Sequence, residues 1–107
     1  MRAHYRGGMS KECVRLCWSV GLSERARCQR CGARMIVLVE VLDGAFTEER
    51  PLCCPRCARI DDVGKAAEAI GRRLEEVLGY CTTAVNIARR LNADLELLWR
   101  THRARAL

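Results

Sequence analysis

The 107-residue sequence has few aromatic residues, little proline and few histidines. With two Trp, two Tyr and one Phe, any core must be mostly aliphatic and small, and chains of this size are often stabilised by disulfides or a metal. The longest uninterrupted apolar run, Met35–Val39, is far too short to cross a bilayer. The first ten residues contain no apolar stretch, so we expect no secretory signal and predict a cytoplasmic protein without a membrane role.

Positive charge is abundant and unevenly distributed. The net charge is +6, and 17 of the 19 basic residues are Arg. Residues 1–34 carry eight basic and two acidic side chains, and residues 89–107 carry five and two. Two basic ends favour an anionic partner, either nucleic acid (DNA more than RNA) or an acidic protein surface. An arginine-rich coding bias would give the same composition without any function.

The cysteines indicate a metal site. Cys28 and Cys31 form one C-x-x-C pair, Cys54 and Cys57 form another, and 22 residues separate the pairs. Without a secretory signal, metal binding is favoured over disulfides. Two such pairs place four thiolates around one tetrahedral ion such as Zn²⁺. Gly32 allows the tight backbone turn that follows the first pair.

These two pairs resemble the knuckles of the zinc-ribbon family, which read C-P-x-C-G. Gln29 stands where the first knuckle has proline, and Ala58 stands where the second has glycine, but neither change removes a ligand. The resemblance covers the segment 25–60. It implies a structural Zn²⁺ held by four cysteines and no reaction at the metal.

The residues between the pairs predict a β-hairpin. Met35–Leu42 is β-branched and apolar, as strands are, and Asp43-Gly44 is typical of a two-residue type I′ turn. Ala45–Leu52 returns as a more polar strand, with Pro51 near an edge. Because the first strand is apolar on both faces, we expect helices to cover both.

The other cysteines leave alternatives open. Cys53 adjoins Cys54 and could replace it, but the two-residue gap favours Cys54 as ligand and Cys53 as a buried side chain. Cys13 and Cys17 lie one turn apart in a predicted short helix over 10–21. They either face the core or form a second metal site with His4, Cys53 or Cys81.

The C-terminal segment predicts helix. From Val63 to Leu98, apolar residues recur at alternating intervals of four and three residues and so form an apolar seam along one helix face. Three arrangements fit this seam: a single helix that pairs with a second copy of the chain, a long helix over 62–91 followed by a terminal helix over 94–105, or a helical hairpin. Gly79 weakens the middle of the segment.

Two partial resemblances fall in this helical segment. Residues 87–94, followed by Leu98, Trp99 and Arg100, are similar to a helix-turn-helix, which implies a recognition helix that presents Arg100, Arg103 and Arg105 to DNA. Residues 85–91, with Glu75 and Glu76 upstream, are similar to the last helices of MazG-type nucleotide pyrophosphohydrolases. Gly79 stands where those enzymes have a metal-binding aspartate, so the second resemblance implies a non-catalytic derivative.

Together these patterns predict a small α+β, metal-stapled protein. It consists of a basic segment with a short helix over 1–24, a zinc ribbon over 25–60 and a helical domain over 61–107. No nucleophile with a base is evident, so we expect no enzyme. We expect a nucleic-acid-associated, transcription-type regulator that contacts phosphates, or alternatively a module that oligomerises or binds transcription machinery or a phage or host protein. The predicted phosphate-contacting residues are Arg25, Arg27, Arg30, Arg34, Arg56, Arg59, Arg100, Arg103 and Arg105.

Overall fold

A computed structural model of the chain describes residues 2–6 and 15–103. In the described residues four strands are followed by two helices: β1 (Arg2–Arg6), β2 (Arg15–Arg27), β3 (Arg34–Leu42), β4 (Phe46–Cys53), α1 (Ile60–Leu78) and α2 (Thr82–His102). The strands form one antiparallel sheet in the order β1-β2-β3-β4. The α+β class is confirmed, and the sheet includes β1 and most of β2 from the predicted N-terminal segment 1–24.

The predicted N-terminal helix is wrong where the structure describes it. Residues 15–21 belong to β2, which pairs with β3 along most of its length. Trp18 and Val20 are buried, while Cys17 before them and Ser19 between them are only partly buried, so the burial period is two. Apolar residues at positions 13, 16, 17 and 20 also match the spacing of one helix face. Pairing with the apolar strand β3 selects the strand instead, because it gives the backbone of this segment a ladder of hydrogen bonds. The rest of that predicted helix, including Cys13, lies outside the described residues.

The predicted hairpin is confirmed as β3 and β4. Asp43 and Gly44 have φ values of 53° and 73°, the positive values that a type I′ turn needs, and the Ala45 N–H donates to the Leu42 carbonyl at 3.1 Å. The strand register then pairs Leu42 with Phe46, so three residues separate the strands. β4 is an edge strand of the described sheet, which accommodates the missing N–H of Pro51.

A bulge near the end of β4 sets the direction of the cysteines that follow. Ile36 pairs with Cys53 and Val37 pairs with Pro51, so Leu52 is the extra residue. Cys53 therefore joins Ile36 in the core, and the chain leaves the sheet at Cys54.

The main core lies between one face of the sheet and the two helices. Trp18, Val20, Ile36 and Leu38 supply the sheet side of this core. Val37 is also fully buried, but on the opposite face, where none of the described helices packs. Within the described residues the expectation that helices cover both faces is not met, because α1 and α2 pack beside each other on the same side.

The helical segment is a hairpin. α1 ends at Leu78, Gly79 adopts a φ of 82° and donates its N–H to the Glu75 carbonyl at 2.8 Å, and α2 begins at Thr82. The alternatives of one continuous helix and of a helix over 62–91 are therefore wrong. α2 also runs without a break through residues 92–94, so the turn that the helix-turn-helix resemblance requires is absent.

The apolar seam is used within one chain. Because α1 and α2 fold back on each other, positions that would line a long coiled coil share a single core with the sheet. Its buried members are Val63, Ile70, Leu74, Ala84, Ala88, Leu91 and Leu95. A second copy is therefore not needed to bury this seam.

A buried carboxylate ties the sheet to α1. Glu40, only 6% exposed, lies on the helix-facing side of β3. Its Oε2 accepts hydrogen bonds from Trp18 Nε1 at 3.0 Å and Arg73 Nε at 2.6 Å, and its Oε1 accepts one from Arg73 Nη2 at 3.0 Å. Arg50 Nε lies 3.5 Å from the same oxygen Oε1. This network links β2, β3, β4 and α1, and the sequence patterns did not indicate it.

The Glu40 network predicts a pH dependence of stability. Burial alone would raise the pKa of Glu40, but the hydrogen bonds and charges of Arg73, Trp18 and Arg50 outweigh it, so the pKa lies below its usual value. The contribution of the ionised carboxylate is present above about pH 4.5 and is lost as the pH falls through the native pKa. We expect Glu40→Gln to cost about 2 kcal/mol at pH 7, because it leaves Arg73 with only the exposed carboxylate of Glu76, 3.1 Å from its Nη1, as an anionic partner.

The measurement is urea unfolding of parent and variant from pH 7 to pH 3. The difference in unfolding free energy between the two should shrink as the pH falls below about 4.5. Glu68→Gln is the control, because Glu68 is exposed on α1. A difference for Glu40→Gln that stays constant down to pH 3 would contradict this interpretation.

Candidate metal centre

Four cysteine sulfurs converge at one end of the sheet. The Sγ atoms of Cys28, Cys31, Cys54 and Cys57 all lie within 4.8 Å of one another. They are the four predicted ligands, and among the side chains that the structure describes, those of residues 16–45 and 47–103, they form the only group close enough to hold a metal. The arrangement is consistent with a zinc-ribbon-like site.

The two knuckles share one backbone pattern. In the first, between β2 and β3, the Gly32 N–H donates to the Cys28 carbonyl at 2.8 Å. In the second, after β4, the Ala58 N–H donates to the Cys54 carbonyl at 2.9 Å. Gly32 has a φ of 79°, which explains the glycine, whereas Ala58 has no positive φ and fits its position without strain.

The spacing of the sulfurs fits a tetrahedral ion. Cys28 and Cys57 place their Sγ atoms 3.8 Å apart, and Cys31 and Cys54 place theirs 3.5 Å apart. Four sulfurs at about 2.3 Å from a central ion would be separated by about 3.8 Å. The backbone N–H groups of Arg30 and Cys57 also donate to the sulfurs of Cys28 and Cys54, each at 3.4 Å, and such donors stabilise thiolates.

The thiols of this cluster do not ionise equally. Hydrogen bonds from the backbone N–H groups of Cys31 and Arg30 lower the pKa of Cys28 to about 6. The three neighbouring sulfurs, Cys31 first, raise the pKa of Cys57 to about 12. One thiolate therefore forms readily, while four adjacent negative charges require a cation at their centre.

Cys53 is confirmed as a packed side chain and not a member of the cluster. It is 7% exposed in the main core, and burial raises its pKa to about 11. The bulge at Leu52 explains why adjacent cysteines have opposite roles, since it turns one into the core and releases the next from the sheet.

The second predicted metal site stays a prediction. Cys17 lies in β2 as the register partner of His4, Cys81 is exposed before α2, and Cys13 lies outside the described residues.

The predicted phosphate-contacting arginines are mostly exposed. Arg34 is the exception, because its Nε donates to the Ser23 carbonyl at 2.8 Å and its Nη2 pairs with Glu24 at 2.9 Å. Arg105 lies outside the described residues. The exposed members are Arg25, Arg27, Arg30, Arg56, Arg59, Arg100 and Arg103.

Trp99 fastens the end of α2 to the second knuckle. Its side chain is buried, and its Nε1 donates to the Ala58 carbonyl at 3.0 Å. The guanidinium of Arg103 lies 4.5 Å from the centre of the Trp99 ring, and that of Arg100 lies 5.9 Å from it. The sequence signal for this contact is the single tryptophan of the amphipathic helix, because the N–H of a buried indole needs an acceptor.

Beside the knuckles lies a concave surface that we call the arginine cleft. Its volume is about 400 Å³, and its charged and polar side chains are those of Arg27, Arg34, Arg56 and His102. Leu22, Ala33 and Pro55 form the rest of its walls. The cleft therefore combines both knuckles with the last turn of α2.

Comparison with known proteins adds no relative. No family model, curated protein or solved structure matches this chain, so no relative supports the zinc-ribbon or the MazG resemblance. A search of the described residues for membrane spans finds no helix with the length and apolar character that crossing a bilayer requires.

The cluster predicts different outcomes for two adjacent cysteines. Cys54→Ser should abolish stoichiometric metal binding, because three thiolates are left at a four-ligand site. Cys53→Ala should retain the metal and lose about 1 kcal/mol of stability through poorer packing. Elemental analysis of protein purified under reduction, with urea unfolding, measures both. Full metal content in Cys54→Ser, or its loss in Cys53→Ala, would reverse the assignment.

Proposed function

We propose that the cysteine cluster holds one structural Zn²⁺ and that the protein binds nucleic acid, as a transcription-type regulator does, through arginines around the two knuckles. Four thiolates favour a soft or borderline ion such as Zn²⁺ over Mg²⁺ or Ca²⁺. A shell closed by four protein ligands leaves no position for water or substrate, so the ion supports the fold and performs no reaction.

The observation that carries the nucleic-acid proposal is that the two basic segments of the sequence meet. The indole of Trp99 joins α2 to Ala58, and His102 lies in the same cleft as Arg27 and Arg56. Arginines that are distant in sequence thereby share one end of the molecule. A concentrated positive surface binds phosphates and releases counterions.

The same surface favours backbone contacts over base stacking. Trp18 and Trp99 are both buried, and Tyr80 is exposed at the far end of the helical hairpin. No exposed aromatic side chain therefore lies beside the knuckles in the described part of the chain. Single-stranded binders usually stack bases on such rings, so duplex DNA is the favoured target.

Paired arginine variants test this proposal. The double variant Arg30→Ala/Arg59→Ala removes one exposed arginine from each knuckle, and we expect weaker binding to a 20-base-pair duplex. The slope of log K against log salt should become shallower by about 2, since each lost phosphate contact contributes about 0.9.

The matched control is Arg72→Ala/Arg89→Ala, which removes the same charge from exposed positions on α1 and α2. Arg89 lies 13 residues before His102, about 20 Å along the helix. Fluorescence anisotropy from low to physiological salt measures both variants. If the two double variants lose equal affinity for the duplex, binding depends only on the net charge of the protein and not on the knuckle arginines. If the parent protein does not bind the duplex at low salt, the nucleic-acid proposal is wrong.

A second candidate is a protein-interaction module. A cleft of about 620 Å³ lies beside the first knuckle, with Met35, Pro51 and Leu52 in its apolar wall and Arg27, Arg30 and Lys65 among its charged residues. Such a surface suits an acidic peptide with an apolar side chain. Failure of the parent protein to bind duplex DNA at low salt would favour this candidate.

A further inference from the structure

We propose that the arginine cleft is a binding site for the terminal phosphate of a nucleic-acid strand, a phosphomonoester rather than a backbone phosphodiester. The inference rests on the proposed nucleic-acid binding and adds a specific ligand group to it. It is carried by the juxtaposition of Arg27, Arg34, Arg56 and His102 in one concave site.

The first argument is that the cleft places like charges opposite each other. Arg27 and Arg34 are direct register partners on β2 and β3. Like charges at such positions destabilise a sheet. Glu24 offsets one of them, through the ion pair with Arg34, but its side chain is 86% exposed and water weakens the interaction. An anion bound between the arginines removes this repulsion.

The second argument is that two of these guanidinium groups are held in place. Arg34 donates to the carbonyls of Ser23 and Leu22, at 2.8 and 3.4 Å, and Arg27 Nη1 donates to the Gly32 carbonyl at 3.4 Å. Their side-chain entropy is already reduced before an anion arrives. Such preorganisation increases affinity without additional contacts.

The third argument is that the site is assembled by the tertiary structure. Arg27 and Arg56 come from different knuckles, which the cysteine cluster joins, and His102 comes from the end of α2, which Trp99 fastens. In the described residues no carboxylate lines the cleft, and its remaining walls are apolar. Apolar walls lower the local dielectric constant and strengthen the attraction of the arginines for an anion.

The number of cations decides between the two kinds of phosphate. A phosphomonoester carries about −1.5 to −2 charge at pH 7 and three acceptor oxygens, whereas a phosphodiester carries one negative charge. Outside the Arg34–Glu24 ion pair, the two guanidinium groups of Arg27 and Arg56 match the charge of the phosphomonoester, and Arg binds phosphate with paired donors. A concave site is also more accessible to the end of a strand than to its middle.

The experiment compares oligonucleotides of one sequence with a 5′-phosphate, a 3′-phosphate or hydroxyls at both ends, on the full-length, zinc-loaded protein. We expect at least tenfold tighter binding of one phosphorylated end, measured by anisotropy. Inorganic phosphate at millimolar concentration should remove this preference. Arg56→Ala should reduce the preference to less than twofold, while Arg72→Ala should leave it intact.

The outcomes separate this inference from the function on which it rests. Equal affinity for all three oligonucleotides, with strong salt dependence, overturns the terminal-phosphate site and leaves the nucleic-acid proposal standing. No binding of any of them overturns both. Metal content and thermal unfolding of Arg56→Ala check that the variant folds, and Arg27→Gln serves as a second variant. A preference that survives in both folded variants also overturns the assignment.

Discussion

Four sulfurs held within 4.8 Å of one another join two short loops that are 22 residues apart in the chain. Without a cation this arrangement is unfavourable, because the pKa of Cys57 is raised to about 12 and full ionisation of the cluster is opposed by its own charges. A divalent ion bound between the four sulfurs would replace that repulsion with attraction. The position of every knuckle arginine depends on it, since the cluster sets how the two loops face each other.

The helices are attached to this framework by two polar contacts as well as by apolar packing. Glu40 joins α1 to three strands through Arg73, Trp18 and Arg50, and Trp99 joins α2 to the carbonyl of Ala58. Apolar packing is tolerant of small shifts, whereas hydrogen bonds of buried groups require defined partners. These two contacts therefore fix how the helical hairpin lies on the sheet, and the second brings the end of α2 to the cysteine cluster.

The clustering of arginines at one end has an energetic cost. Arg27 opposes Arg34 across the sheet, so part of the folding free energy is used against the repulsion between these two side chains. Sites that work against stability in this way are commonly sites of function. The proposed anionic ligand would account for this arrangement, because the cysteine cluster brings the two arginine-bearing loops together.

The spacing of the cysteines determined the ligand set, because two C-x-x-C pairs are a local pattern whose geometry is fixed within each turn. The β3–β4 hairpin was also determined locally, because Asp43-Gly44 carries its own turn preference. The tertiary structure alone decided the rest. Residues 15–21 satisfy a helical and a strand period equally, and only pairing with β3 selects the strand. The seam from Val63 to Leu98 likewise permits one helix or two, and the sheet beneath selects the hairpin because only a folded-back pair covers its apolar face. Contacts such as that of Trp99 with Ala58 join residues 41 positions apart, and no local pattern encodes them.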